Sequence, residues 1–455
     1  MDSFHLSRAI RSLRLGGLTG RVGASYLGQR LKSLFQSPED MAESLSKTHR
    51  RNAERIAETL GQLKGAVMKL GQMASLQADL FPPEITEVLA GLQNAAPPMP
   101  YDVISAHVRT ELGEKPEWVF REFEREAFAS ASIGQVHRGK LHDGRSVAVK
   151  VQYPNIEKML EDDIRNLGLI FRLVQQVGPG IDLTIIFEEL KSHLLEEIDY
   201  EQEAGNLKEF RESLADIPWL IIPAPIPEFS TRRILTMELV EGEAARSLEQ
   251  RHISQDRRNR FCERLADLFT HQVLDLHLMH ADPNIANFAL TDDERIIMYD
   301  FGCVKRFPGW FIHEFKAFLR DGLSGRIDSL GEDFRRLGMY KRNGELVDTQ
   351  VITAYRDVLI RPFLPGVRYD FGRTDLHKYL LQLGFDQMRE SHDYIFPRHV
   401  VFINRVLGGM YGNFIRLAAC ADWGAILRRR LGMMEGNMNA GSHRPPEPNQ
   451  DTVPD

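Results

Sequence analysis

The chain has 455 residues, enough for about three domains or for one two-lobed catalytic domain with extensions. Its 43% hydrophobic and 27% charged residues are ordinary for a globular protein with a real core, and a net charge of −7 gives no support to a nucleic-acid binder. No run of 18 uncharged apolar residues is present to make a spanning helix, and the three cysteines (Cys262, Cys303, Cys420) form no CxxC pair, which points to a reducing compartment.

Residues 1–37 form a basic N-terminal segment. Between Ser3 and Gln36 it carries Arg8, Arg11, Arg14, Arg21, Arg30 and Lys32 and no acidic residue. Such a segment suits an anionic membrane surface, which would make the protein cytoplasmic and peripheral at a membrane. The same bias marks a transit peptide, which would place it on the matrix side of a mitochondrion, and it also fits a plain solvated arm. Residues 38–100 read as a helical extension. Apolar residues at helical spacing run from Ala42 to Leu80, Pro82 and Pro83 interrupt them, a short helix follows from Glu84 to Leu92, and Ala95 to Pro100 makes a stiff linker. Lys69 and Gln72 lie three apart on one face of that extension.

Residues 101–241 are expected to form a small strand-rich lobe. Gln135–Leu141 and Ser146–Gln152 alternate as strands across an Asp143-Gly144 turn. Helices are expected over 155–177 and 185–214, and a strand over 232–240. Residues 242–436 are expected to form a helical lobe. It opens with a helix from Gln255 to Met279, a loop from His280 to Asn287, and two short strands at Phe288–Leu290 and Arg295–Tyr299. Residues 437–455, rich in Gly, Pro and Asn, are expected to be a disordered tail. The fold class that follows is α+β, in a two-lobed arrangement.

The chemistry concentrates in that loop. Asp282 and Asn287 lie five positions apart, and Asp300-Phe301-Gly302 follows at the end of an apolar strand. Phosphoryl transfer needs a carboxylate near the acceptor and oxygen ligands for a Mg²⁺ that bridges the phosphates. Asp282 would serve as the first, and Asn287 and Asp300 as the second, at the spacing that kinases use. Upstream, Val147-Ala148-Val149-Lys150 ends in a lysine placed to hold phosphates and to pair with a helix glutamate. Within the acidic run Glu196 to Ala204, Asp199 and Glu203 are four apart, so a continuous helix would put them on one face with Glu197 turned elsewhere. Glu203 is the expected partner of Lys150, and a second cation is expected for Glu197 or Asp199. Adenine is expected against the strand at Met237, Glu238 and Val240.

Where a protein kinase has a glycine-rich loop, this chain has Ala127-Phe128-Ala129-Ser130-Ala131-Ser132-Ile133-Gly134. Ala129, Ser130, Ala131 and Ser132 are small enough for backbone N–H groups to approach a phosphate, but alanine takes up φ > 0 less freely than glycine, so a stiffer loop is expected. With Lys69-Leu70-Gly71-Gln72, this loop makes the chain resemble the UbiB/AarF/ADCK family of atypical kinases. The resemblance runs from about Ala42 to Leu431 and includes Val147–Lys150, Glu197-x-Asp199, Glu203-Ala204, the Asp282/Asn287 loop and Asp300–Gly302. It implies a protein-kinase-like fold, with a β-rich N-lobe, a helical C-lobe and an N-terminal helical extension.

It further implies ATP and Mg²⁺ as cofactors and a lipid or quinone-precursor ligand. Lys69 and Gln72 would have a regulatory role, with Lys69 meeting Glu197 and Asp199. Activity would be that of an ATPase or unorthodox kinase supporting ubiquinone or other isoprenoid lipid metabolism. Bacterial UbiB proteins end in hydrophobic spanning helices, from which this chain departs. A nucleotide-binding scaffold with little turnover is the alternative. An aminoglycoside- or choline-type phosphotransferase shares the HxDxxxxN loop, but not the Lys69 or alanine-rich motifs.

Overall fold

The computed structural model describes residues 98–433 except Ser132, most of 162–196, residues 365, 367 and 375, and most of 377–396, together with five isolated positions before residue 52. The basic segment, the extension with Lys69 and Gln72, Ser132 and the tail therefore lie outside the described residues.

The small lobe is an antiparallel sheet. Its strands are β1 (Glu122–Phe123), β2 (Ala129–Ala131), β3 (Gly134–Lys140), β4 (Ser146–Gln152) and β6 (Ile234–Glu238); a short strand of the large lobe, β5 (Leu220–Ile221), intervenes in sequence. The order is β1-β3-β4-β6, with β2 hairpinned onto β3. Gly144 takes the positive φ (94°) that the tight β3–β4 turn requires. Alternation along β4 sorts its side chains between two sides. Val147, Val149 and Val151 are buried on one side, against Ile104 and Val108 of helix α1 (Tyr101–Leu112), Phe120 and Ile234. Ala148 on the other side joins the main core that runs from Ile133 down to Leu431, and Lys150 and Gln152 share its side of the pleat.

Helix α2 (Tyr200–Ser213) crosses this inner side. The helix expected over 185–214 is broken at 197–199, and Asp199 is the N-cap, its side chain accepting from Gln202 N–H. Asp199 thus stands outside α2 and does not share a helix face with Glu203. The reason is local: a carboxylate that satisfies an orphan N–H of the first turn favours starting a helix over continuing one.

The large lobe is built on α3 (Gln255–Leu274), α4 (Gly309–Leu323), α5 (Ile327–Arg336), α6 (Thr349–Leu359), α7 (Arg398–Arg416) and α8 (Trp423–Leu431). α3 stops at Leu274 rather than Met279. The chain reverses through His277, at φ 56°, into the short strand β8 (Leu278–His280). Strands β7 (Glu243–Ala244), β9 (Phe288–Leu290) and β10 (Ile296–Met298) join β5 in one sheet, and β11 (Val304–Arg306) pairs with β8. Among the described residues, no helix is long and apolar enough to cross a membrane.

Candidate active site

The pleat of β4 brings Lys150 to the inner side, where it is 8% exposed. Its Nζ donates to Glu203 Oε1 and Oε2 at 2.8 and 2.9 Å and to Asp300 Oδ2 at 3.3 Å, and it lies 4.8 Å from the centre of the Tyr200 ring. Burial opposes the ammonium, but Asp300 and Glu203 outweigh it and hold Lys150 well above its usual range. Burial pushes the Glu203 carboxyl up to about 7, against the pull of Lys150. One cation between two carboxylates leaves the cluster electronegative.

Glu197 approaches the same place. A Cβ on Gly302 would meet Asp300 Oδ1 at 3.3 Å, Glu197 Cγ at 3.8 Å and Glu203 Oε2 at 4.0 Å, so Gly302 keeps open the point where three acidic side chains converge. Asp199 points elsewhere, with Oδ2 3.7 Å from Arg232 Nε. The 197–199 turn is held by Gln152, whose buried amide donates to Ile198 O at 2.8 Å.

Two ladders draw the loop and the Asp300–Gly302 segment together. β11 pairs with β8, Val304 opposite His280, and Ala281 N–H donates to Cys303 O. β9 pairs with β10, and Tyr299 N–H donates to Asn287 O at 3.1 Å, bringing Asn287 beside Asp300. His280 Nε2–H donates to Asp300 O at 2.6 Å, and Gly302 N–H to Asp300 Oδ1 at 3.0 Å, so both ends of Asp300 are oriented. Asp282, half-buried, caps its own turn by accepting from Asn284 N–H, and Asn287 Nδ2 donates to Asp282 O at 3.3 Å. From below, Asn413 of α7 donates to Pro283 O at 2.7 Å, and Gly409, one turn earlier, has no Cβ to strike Pro283. The sequence reading missed Gln152, Gly409 and Asn413. The only trace of Asn413 is a polar residue at a helix position facing core.

Of the four small residues expected over the phosphates, Ala129, Ser130 and Ala131 form β2, opposite Val136, Gln135 and Gly134. The alanine-rich loop is therefore the tip of a hairpin. Gly134 is obligatory there, because a Cβ would stand 2.3 Å from Val151 O. Met237 is buried in β6. Ala224 N–H donates to the Glu238 carboxylate at 3.0 Å while Glu238 N–H goes to Ala224 O, so a side chain takes the place of the next ladder bond. Val240 O accepts from the Tyr299 hydroxyl at 2.9 Å.

Among the described residues, no three His, Cys, Asp or Glu side chains form a closed metal cage. Mg²⁺ does not require one, since it keeps several waters and takes one or two protein oxygens with phosphates. Asp300 and Asn287 fit that need. The Nδ2 bond of Asn287 to a carbonyl fixes its amide, so Oδ1 is the end that would coordinate.

Comparison with known proteins gives this geometry its context. The model of the ABC1 atypical kinase-like domain matches residues 91–324. A chloroplastic protein of Arabidopsis thaliana, ACTIVITY OF BC1 COMPLEX KINASE 7, is 31% identical over 88% of this chain, which spans 59% of that protein's length. The mitochondrial atypical kinase COQ8B of Rattus norvegicus is 32% identical over 80% of this chain and 70% of its own length. Among solved structures, Rv3197 of Mycobacterium tuberculosis, in complex with erythromycin, aligns with a TM-score of 0.61 at 28% identity, covering 86% of this chain and 98% of that one. The two-lobed α+β fold is thus kinase-like, and the chain belongs to the ABC1 group of atypical kinases, the UbiB/AarF/ADCK family, as a kinase-like phosphotransferase.

Proposed function

We propose that the protein binds ATP with Mg²⁺ in this cleft and turns it over, as an ATPase or as a kinase for a small lipid-like acceptor. The observation that carries the reading is the bonding of Lys150 to both Glu203 and Asp300, with Asn287 one ladder bond from Asp300. Lys150 would neutralise the α- and β-phosphates, and Asp300 and Asn287 would hold the metal. Asp282 would orient the attacking hydroxyl and take its proton. Bound Mg²⁺ would supply charge neutralisation between the phosphates. Backbone groups from Glu238, the last residue of β6, to Val240 would take the adenine edge, with Met237 behind it. Ala129, Ser130, Ala131 and Ser132 would cover the phosphates. We assign Lys69, Gln72, Glu197 and Asp199 a regulatory part. The acceptor would be a quinone precursor or another isoprenoid lipid at an anionic membrane, and the basic N-terminal segment would serve as membrane contact or mitochondrial address.

ATP hydrolysis by the purified chain, with and without Mg²⁺, anionic liposomes and a phenolic quinone-precursor analogue, tests this beside Asp300→Ala. Metal-dependent turnover that the variant loses supports the reading, and unchanged turnover in the variant contradicts it. A second reading, a nucleotide-binding scaffold, draws on the 3.3 Å contact by which Lys150 holds Asp300, since that contact competes with a metal. Stoichiometric ATP binding without product would favour it.

A further inference from the structure

Helix α2 touches the Asp300–Gly302 segment through more than Glu203. Asn206, one turn on and 4% exposed, donates Nδ2–H to Phe301 O at 3.0 Å. Glu203 Oε1 accepts from Phe301 N–H at 3.4 Å. Both main-chain polar groups of Phe301 are therefore bonded to side chains of one helix. Its ring packs 5.1 Å from Phe210, which lies seven positions after Glu203 on the same face. The other end of the Asn206 amide is also taken, Oδ1 accepting from Arg306 Nη2 at 3.2 Å, and Arg306 is ion-paired to Glu209. A carbonyl only accepts and a guanidinium only donates, so the amide has one possible orientation.

We propose that Asn206, steadied by Arg306, is a positioning residue that sets Asp300 for the metal by fastening the Phe301 peptide to α2. This rests on the reading of Asp300 as a Mg²⁺ ligand. A buried amide is costly unless every bond is made, so packing alone would favour an apolar residue here, like its neighbours Leu207 and Phe210. What the amide adds is direction. Asp300 precedes the fastened peptide and cannot tilt without dragging α2, and α2 also carries Glu203, which holds Lys150. One helix thus sets the phosphate lysine and the metal carboxylate together.

The test is affinity for a non-hydrolysable ATP analogue, measured calorimetrically on the full chain across a Mg²⁺ titration and in EDTA. Asn206→Asp keeps the size of the side chain and its pairing with Arg306 but turns an acceptor toward Phe301 O. It should raise the half-saturating Mg²⁺ about tenfold while changing metal-free affinity less than about twofold. Arg306→Met, at a half-exposed position, should shift the Mg²⁺ dependence about threefold in the same direction. Equal losses with and without metal would reduce Asn206 to a packing role and overturn the proposal. So would unchanged Mg²⁺ dependence in the variants beside a metal-dependent wild type. If Asn206→Asp does not fold, Arg306→Met decides. A wild type indifferent to Mg²⁺ would instead sink the metal reading of Asp300, and this inference with it.

Discussion

The two faces of β4 come from alternate residues of one seven-residue strand and are built on opposite principles. The outer face is hydrocarbon: Val147, Val149 and Val151 against Ile104, Val108 and Phe120. Its stabilisation is non-directional and scales with buried area. The inner face keeps Ala148 in the main core but also buries Lys150 and Gln152, whose polar contacts are directional: Lys150 to Glu203 and Asp300, Gln152 to Ile198 O. A single strand can therefore anchor the lobe with one set of side chains and present chemistry with the other. Mutations on the two faces should fail in different ways.

The largest separation is expected from Lys150→Met. Turnover should fall about 10²–10³-fold through loss of the charge proposed to face the phosphates, read as kcat/KM on protein shown to be folded. On the outer face, Val149→Ala should cost about 2 kcal/mol in denaturant unfolding through lost burial and a residual cavity, with turnover per folded molecule retained. Asp199→Ala should cost about 1 kcal/mol, since it removes the α2 cap, and loss of the Arg232 contact adds little at an exposed site. The smallest signal is a slope. Burial raises Glu203 from 4.5 to about 7, so between those values the folded chain holds a proton that the unfolded chain has released. The resulting stability is complete below about pH 4.5 and is lost as pH rises through about 7. Glu203→Gln should flatten that part of a Tm-against-pH profile. A profile as steep as wild type would mean that Glu203 is ionised throughout.

Much of this contrast was legible in the sequence. Strict alternation and the Asp143-Gly144 turn marked β3 and β4 almost to the residue, because a period of two and a turn residue are local signals. The Asp300-Phe301-Gly302 run after an apolar strand was equally local. What escaped depends on partners far along the chain. β1, β2 and β11 are two or three residues long and exist only through their ladders with β3 and β8. Helix α1 shows just Ile104 and Val108 as a buried stripe, and its exposed Val103 blurs the period. A continuous helix was expected to put Asp199 and Glu203 on one face, whereas Asp199 ends up as the α2 cap, and Gln152 on β4, holding Ile198 O, ties down the turn that precedes it. Asn206 and Asn413 drew no expectation from the sequence, because the carbonyls they serve, Phe301 O and Pro283 O, lie about a hundred residues or more away along the chain.

Lys150 and Glu203 are proposed to work as one buried unit in support of nucleotide turnover. A double-mutant cycle of Lys150→Met and Glu203→Gln on Mg²⁺-dependent ATP turnover tests this most directly. Strong non-additivity is expected, with the double variant no slower than Lys150→Met alone, because Glu203 acts through the lysine it orients. If the two losses multiplied, the residues would act independently and the shared site on the inner face of β4 would be refuted.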